Sequence, residues 1–550
     1  MKRLKKWLQR TWVACMALCM AFIFSSCTAL NLVLNVVSFF LDFYTPPITL
    51  EYTLTEEDME EFKAMAEECK TLGVSTDEAD IFKFTMSLTT LMDKFTYIDG
   101  NADVAYLLYC MNTEDEVATE NYLASEKMAT ELRNIYVDLL KTLLESSPYK
   151  EELFAGMSEE ELAIIRADRE KIGELQLRNS ELTREFYDLP EDENWLKKSG
   201  DIYSEIVANN QAMAIEYNYS NYYSFASEVA FSRKHTQVEI ASFRSNVAKY
   251  IVPILSTVYS QYKDLYEGLS EYQKSIYAAT SINYGLVDSY MGSFDWTMST
   301  VMRSMSTVEN AALFADNENA LPGAFTTYVD MYEQPIVYFG KDYQDVYTYV
   351  HEQGHYVAAK CYEGMVQCYD LAELHSQGNE WLFISYLDGK IDAEVYELIK
   401  LNRMIIGLLN VVRATLVDHF EETVYKSEKP IAAKDYNKTM QTIYQQYPGV
   451  KETMDLIIGY DVFEYVQKVA LLYPGYYLNY ATSEIAAMNL HTTAMLEGYE
   501  VAQDAYVSLM SMDALELNLS EAVALVGLDS PFVEETFISL QQVLLPNTNN

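Results

Sequence analysis

Residues 349–360 read YVHEQGHYVAAK, and residues 370–384 read DLAELHSQGNEWLFI. The first stretch holds His-Glu-x-x-His at 351–355. Residues four apart share one face of a helix, so His351 and His355 can aim two imidazoles at one ion while Glu352 projects beside them. Imidazole and carboxylate donors suit zinc, which takes three ligands from a protein and leaves a position for water. Glu352 is then placed to take that water's proton and pass it to a leaving amine. The chain has only 6 His, which makes this spacing a rare coincidence. Two surface histidines on one helix are the plain alternative.

The second stretch must return to the same site for a third ligand. Glu373 is its first acid after Asp370, and His375 lies two residues on, about 200° away around a helix. Asp370, Glu363 and His375 stand as rivals to Glu373. Glu380, seven residues beyond Glu373, comes back to the same face and is expected to hold the ligands from behind by hydrogen bonding.

Around this centre the sequence is helical. Segments 54–72, 78–96, 114–146, 158–187 and 195–217 place apolar residues three and four apart between charges. Ser158, followed by three glutamates, is a helix start of the kind the dipole favours. Residues 324–340, AFTTYVDMYEQPIVYFG, are the exception: β-branched and aromatic residues gather about a turn near Glu333 to Pro335, which predicts a small hairpin. A boundary is expected near residue 190, at DLPEDEN.

Bulk composition narrows the function. The net charge is −43, from 39 basic and 82 acidic residues. Such a surface repels phosphate backbones and excludes nucleic acid as a partner. Half the residues are hydrophobic and 45 are Tyr, ample apolar surface for a large core. The start, MKRLKKWLQRTWVACMALCMAFIFSSC, runs from basic to apolar to small residues and reads as an export signal over residues 1–26. Phe24-Ser25-Ser26-Cys27 resembles a bacterial lipoprotein cleavage box, which makes Cys27 the lipidated residue and the membrane a partner. Too few cysteines follow to form a disulfide scaffold, although Cys361 and Cys368 are close enough in sequence to pair.

Several blocks, in order, resemble the thimet oligopeptidase and oligoendopeptidase F group of zinc peptidases. Asp345-Val346-Tyr347-Thr348-Tyr349-Val350-His351-Glu352-Gln353-Gly354-His355 looks like the family's zinc helix. Ala372-Glu373-Leu374-His375-Ser376-Gln377-Gly378-Asn379-Glu380 is similar to its third-ligand helix, a match that makes Glu373 the ligand. Gly323-Ala324-Phe325 and Pro335-Ile336-Val337-Tyr338-Phe339 resemble the segments along which substrate lies extended, so Val337 and Tyr338 are expected to bind substrate by strand addition. Tyr473-Pro474-Gly475-Tyr476-Tyr477-Leu478-Asn479-Tyr480-Ala481-Thr482 looks like the block whose tyrosines donate to the oxyanion. Tyr480 is its firmest counterpart, Tyr473 the next, and Tyr477 is expected to contact substrate.

The likeness runs over roughly residues 195–545, with two departures. The gap from His355 to Glu373 is short, and residues 461–472 lack the histidine that precedes the family's tyrosines. The resemblance implies a mostly α-helical fold of two lobes flanking a deep channel, with a small hairpin beside the zinc helix. It also implies one zinc ion and oligopeptide substrates cut at internal bonds. The expected division is 1–26 signal, 27–50 lipidated anchor and linker, 51–190 N-terminal helical lobe and 191–550 catalytic body. A peptide-binding lipoprotein without activity and a zinc carboxypeptidase of another helical family are the alternatives.

Overall fold

The computed structural model describes residues 48–545, except 191, 193, 460, 461 and 513–516. The signal segment, Cys27 and most of the anchor lie outside the described residues. No described helix is long and apolar enough to cross a membrane.

Two compact units emerge. The first takes the chain up to Arg166, then 306–321 and 329–338. Helices α1 (Glu56–Gly73), α2 (Glu78–Met111) and α3 (Glu116–Ser146) form its body. Thr55 opens α1 with a reciprocal capping box to Asp58, and Glu56, Glu57 and Asp58 place negative charge against the helix N-terminus. The apolar faces of the three helices enclose Phe62, Phe95, Leu132, Tyr136 and Leu139. Tilted ring contacts Phe62–Phe95 and Phe95–Tyr136 tie them together.

The second unit holds residues 167–305, 322–328 and 339–550. Between the first two long stretches the division by contacts falls at Arg166–Ala167. Its local cause is Asp168, whose side chain accepts from the Lys171 N–H and starts a new helix, α4 (Arg169–Tyr187). That helix packs on α5 (Trp195–Glu216) in the same unit. The single helix expected over 158–187 is accordingly two, Glu159–Arg166 and α4.

The expected hairpin is present. Strands β1 (Ala312–Phe314), β2 (Ala324–Val329) and β3 (Gln334–Phe339) form a sheet in the order β1-β3-β2, the turn made by Glu333 at φ 53°. This order corrects the expectation for Val337 and Tyr338. Strand β3 is central, both of its backbone edges are used, and all six of its residues are buried. The Tyr338 hydroxyl donates to the carbonyls of Cys110 and Leu321 at 2.8 and 2.7 Å. The two outer strands, β1 and β2, each keep an unpaired edge, and β2 is the one that carries Thr326 beside Glu352.

Candidate metal centre

Two helices carry the motif residues. Asp345 starts α6 (Val346–Tyr362) by accepting from the N–H groups of Tyr347 and Thr348. Glu363 ends it in the left-handed conformation at φ 52°, and the chain then turns into α7 (Tyr369–Tyr386). The two helices touch at Gly354, where a Cβ would come within 2.4 Å of the His375 carbonyl oxygen. Only glycine permits that approach. Asn379 fixes the register, its amide donating to the Val350 carbonyl at 2.7 Å while its oxygen accepts from Tyr290.

In this register the expected ligands converge. One donor atom from each of His351, His355 and Glu373 lies within 4.8 Å of the others. Both imidazole Nε2 atoms stand 3.8 Å from Glu373 Oε2. Ligand atoms around a tetrahedral zinc with bonds of about 2.0 Å lie roughly 3.3 Å apart, so small side-chain movements close the set. Two of the rivals are accounted for. Asp370 is fully buried against His235 at 2.5 Å. His375 is buried with its Nε2 at 3.2 Å from the Tyr362 hydroxyl.

Glu380 does what its spacing predicts. It accepts from His351 Nδ1 at 2.7 Å, which leaves Nε2 free to face a cation. Behind it stands a network the sequence did not reveal. Arg403, on α8 (Ala393–Tyr425), is ion-paired to Glu380 and to Glu484 at 3.0 Å each, and Trp381 Nε1 donates to Glu484 at 2.7 Å. Glu484 lies on α9 (Leu478–Leu496). Gly407 makes room for it, since a Cβ there would come within 2.3 Å of Glu484 Oε1.

Charge in the centre is unbalanced. Burial pulls the His351 imidazole down, but Glu380, Glu352 and Glu373 outweigh it and hold the ring up to about 9. Burial raises Glu352 to about 7 and also raises Glu373. His355 is pushed well below its ordinary value by burial and by the His351 charge. Three buried carboxylates around two imidazoles form a donor set that a divalent cation would satisfy. Thr326 on the edge strand β2 donates to Glu352 Oε2 at 2.8 Å. Beside these groups a cavity of about 350 Å³ is lined by Gly323, Ala324, Tyr343, Tyr347, His351 and Glu380.

The tyrosine block divides. The Gly475 turn, at φ +78°, reverses the chain between the helix Val462–Leu472 and α9. Tyr476, which the sequence reading left without a role, donates to Glu373 Oε1 at 3.0 Å. Tyr480, one helical turn later, hydrogen-bonds to Tyr476 and feels the charges of Glu373 and Glu352. Tyr477 bonds instead to Tyr465 near Arg413. Tyr473 is 50% exposed and makes a tilted ring contact with Tyr477. Of the expected pair, Tyr480 lies with Tyr476 beside Glu373 and Tyr473 does not, because the Gly475 turn carries the chain out of the helix that ends at Leu472 before Tyr476. No histidine competes for the oxyanion role: His235, His375, His419 and His491 are engaged with Asp370, Tyr362, Tyr447 and Ser385. Cys361 and Cys368 are both free thiols, Cys368 donating to Asp370 at 2.8 Å.

Solved structures resemble this chain over nearly its whole length. A crystal structure of an oligoendopeptidase F matches with a TM-score of 0.67 at 15% identity, over 90% of this chain and 97% of that one. The chain has the oligoendopeptidase F fold. PZ peptidase A with an inhibitor matches that fold with a TM-score of 0.67 at 16% identity, over 91% of this chain and 99% of that one. An oligoendopeptidase F from Bacillus anthracis str. Ames gives 0.64 at 15%, over 90% and 96%. No protein-family model and no curated protein matches the sequence. The oligoendopeptidase fold is therefore legible here in three dimensions at identities where sequence comparison finds nothing.

Proposed function

We propose that the chain is a zinc-dependent endopeptidase of the oligoendopeptidase type that cuts short, unstructured peptides outside a bacterial membrane. One observation carries the reading: His351, His355 and Glu373 present three donors to one point, with the Glu352 carboxylate and two tyrosine hydroxyls around it. A zinc ion held there would supply Lewis acidity for activating water and polarising a peptide carbonyl. Glu352, with its carboxyl raised by burial, accepts the proton of the attacking water and delivers it to the leaving amine. Tyr480 donates to the carbonyl oxygen as it becomes negative, while Tyr476, its hydroxyl proton on Glu373, holds that ligand and orients Tyr480. The open edge of β2 holds the peptide extended through its main chain, which tolerates many sequences. Export and anchoring rest on the sequence of residues 1–27, with Cys27 as the lipidated residue. Fatty-acid labelling of the wild type and of Cys27→Ser tests that part by itself.

The activity is tested with purified protein and a mixed peptide library, the products read by mass spectrometry with and without a chelator. Internal cuts that vanish with the chelator, and in Glu352→Gln at full zinc content, are the expected result. Glu373→Gln should lose zinc. Single residues lost from C-termini would favour a carboxypeptidase. No cuts at full zinc occupancy would leave a peptide binder.

A further inference from the structure

The residue that turns the chain into the tyrosine helix is gripped at both of its backbone polar groups. Glu421, 1% exposed on α8, accepts from the Gly475 N–H at 2.7 Å. Arg233, 2% exposed, donates to the Gly475 carbonyl at 2.5 Å. Buried ionisable side chains are costly, and here two of them are spent on one buried backbone residue. A peptide hydrogen bond alone needs neither charge.

The segment that delivers Arg233 is itself strained. Ser232 at φ 49° and Lys234 at φ 54° flank it, both non-glycine residues in the left-handed region. Each such placement costs on the order of 1 kcal/mol and persists only where surrounding contacts enforce it. Alternate residues of the segment reach the centre. Phe231 packs edge-on against Tyr476 with ring centroids 5.6 Å apart, Arg233 holds Gly475, and His235 pairs with Asp370, one helical turn before Glu373. The Arg233 guanidinium also stacks over Phe231 at 5.0 Å, joining the backbone grip to the ring contact. Gly475 has no slack on the other side: a Cβ there would come within 3.0 Å of Ala226.

We propose that Arg233 and Glu421 are positioning residues for catalysis, clamping Gly475 so that the hydroxyls of Tyr476 and Tyr480 are held against the metal centre. The inference deepens the peptidase reading and rests on it. With the clamp intact, the donors are preorganised, and little reorganisation accompanies charge development on the substrate oxygen. Without it the turn still forms but the hydroxyls wander by fractions of an ångström, enough to lose turnover. Neither residue touches substrate, so the ground-state complex is spared.

A double-mutant cycle on the zinc-loaded enzyme tests the clamp. Glu421→Ala is expected to lower kcat about 10- to 100-fold, with KM and zinc content within about twofold of wild type. Glu421→Gln, which keeps the acceptor for the Gly475 N–H, should recover most of the loss. In a Tyr476→Phe, Tyr480→Phe background, Glu421→Ala should cost no more than about threefold further, because both hydroxyls it positions are gone. Arg233→Lys runs through the same cycle and covers the case in which Glu421→Ala does not fold. Full additivity, an effect on KM alone, or equal loss in Glu421→Gln and Glu421→Ala would overturn the clamp. Wild-type turnover in the Tyr476→Phe, Tyr480→Phe background would sink the clamp together with the catalytic role of the two tyrosines, whereas additivity beside an impaired double variant sinks the clamp only.

Discussion

Replacing Glu380 by Gln should weaken zinc binding by close to 100-fold while leaving the fold intact. Glu380 Oε1 accepts from His351 Nδ1 at 2.7 Å, and its Oε2 is ion-paired to Arg403 Nε at 3.0 Å. A glutamine of the same shape has one acceptor where two are needed. If its oxygen stays on His351, its NH2 meets the Arg403 N–H. If it rotates to satisfy Arg403, its NH2 faces Nδ1 and holds the imidazole in the tautomer protonated at Nε2, which cannot face a metal. A hydrogen bond to a charged group contributes about 1.5–3 kcal/mol. Outer partners of ligating histidines commonly change affinity about 10- to 100-fold, roughly 1.4–2.7 kcal/mol. With Glu380 nearly buried at 15% side-chain exposure, the upper end applies. The assay is competition for zinc against a chromogenic chelator, with circular dichroism to confirm the fold. An affinity within threefold of wild type would refute the argument that Glu380 sets the His351 tautomer.

Three further outcomes are expected. Gly354→Ala should destabilise the protein by about 2–3 kcal/mol and cut zinc retention, since the new Cβ meets backbone at His375 and Ser376; a urea midpoint equal to wild type would contradict the contact. Asp103→Asn should stabilise the protein increasingly from pH 5 to pH 8, by on the order of 2 kcal/mol at the upper end, in urea titrations at both pH values. Burial, then Asp99 and Asp330, raises its carboxyl from 3.8 to about 7, so the native state gives up stability as pH rises through that range and an amide escapes the loss. Tyr480→Phe should reduce kcat about 100- to 1,000-fold at normal zinc content, while Tyr473→Phe, half exposed at its ring, stays near wild type; steady-state kinetics on one short peptide separates them.

Helical class, the His351–Glu352–His355 face and the shared face of Glu373 and Glu380 were legible before any coordinates, because each depends on spacing along a single helix; Glu373 as third ligand came from the family resemblance. Periodicities of 3.6 residues place 351 with 355 and 373 with 380 whatever surrounds them. The hairpin was legible for a similar reason, its β-branched and aromatic residues being local preferences. Strand order was not. Which strand occupies the middle depends on β1, which lies outside the hairpin; β3, read as the peptide-binding strand, is the central one, and β1 and β2 are the edges.

The tyrosine block shows the same divide within ten residues. Its existence could be read, and Tyr480 with it, but the choice between Tyr473 and Tyr476 turns on the direction in which the chain leaves Gly475. That direction is set by Arg233 and Glu421, 242 and 54 residues away in sequence. Arg403 and Glu484 behind Glu380 are likewise 81 residues apart and carry no motif of their own. Sequence by itself determined what repeats along one helix or strand, since those geometries are fixed by the backbone. Only the tertiary structure decided which buried charges meet, because a carboxylate finds its guanidinium through packing between helices, and packing has no period in the chain.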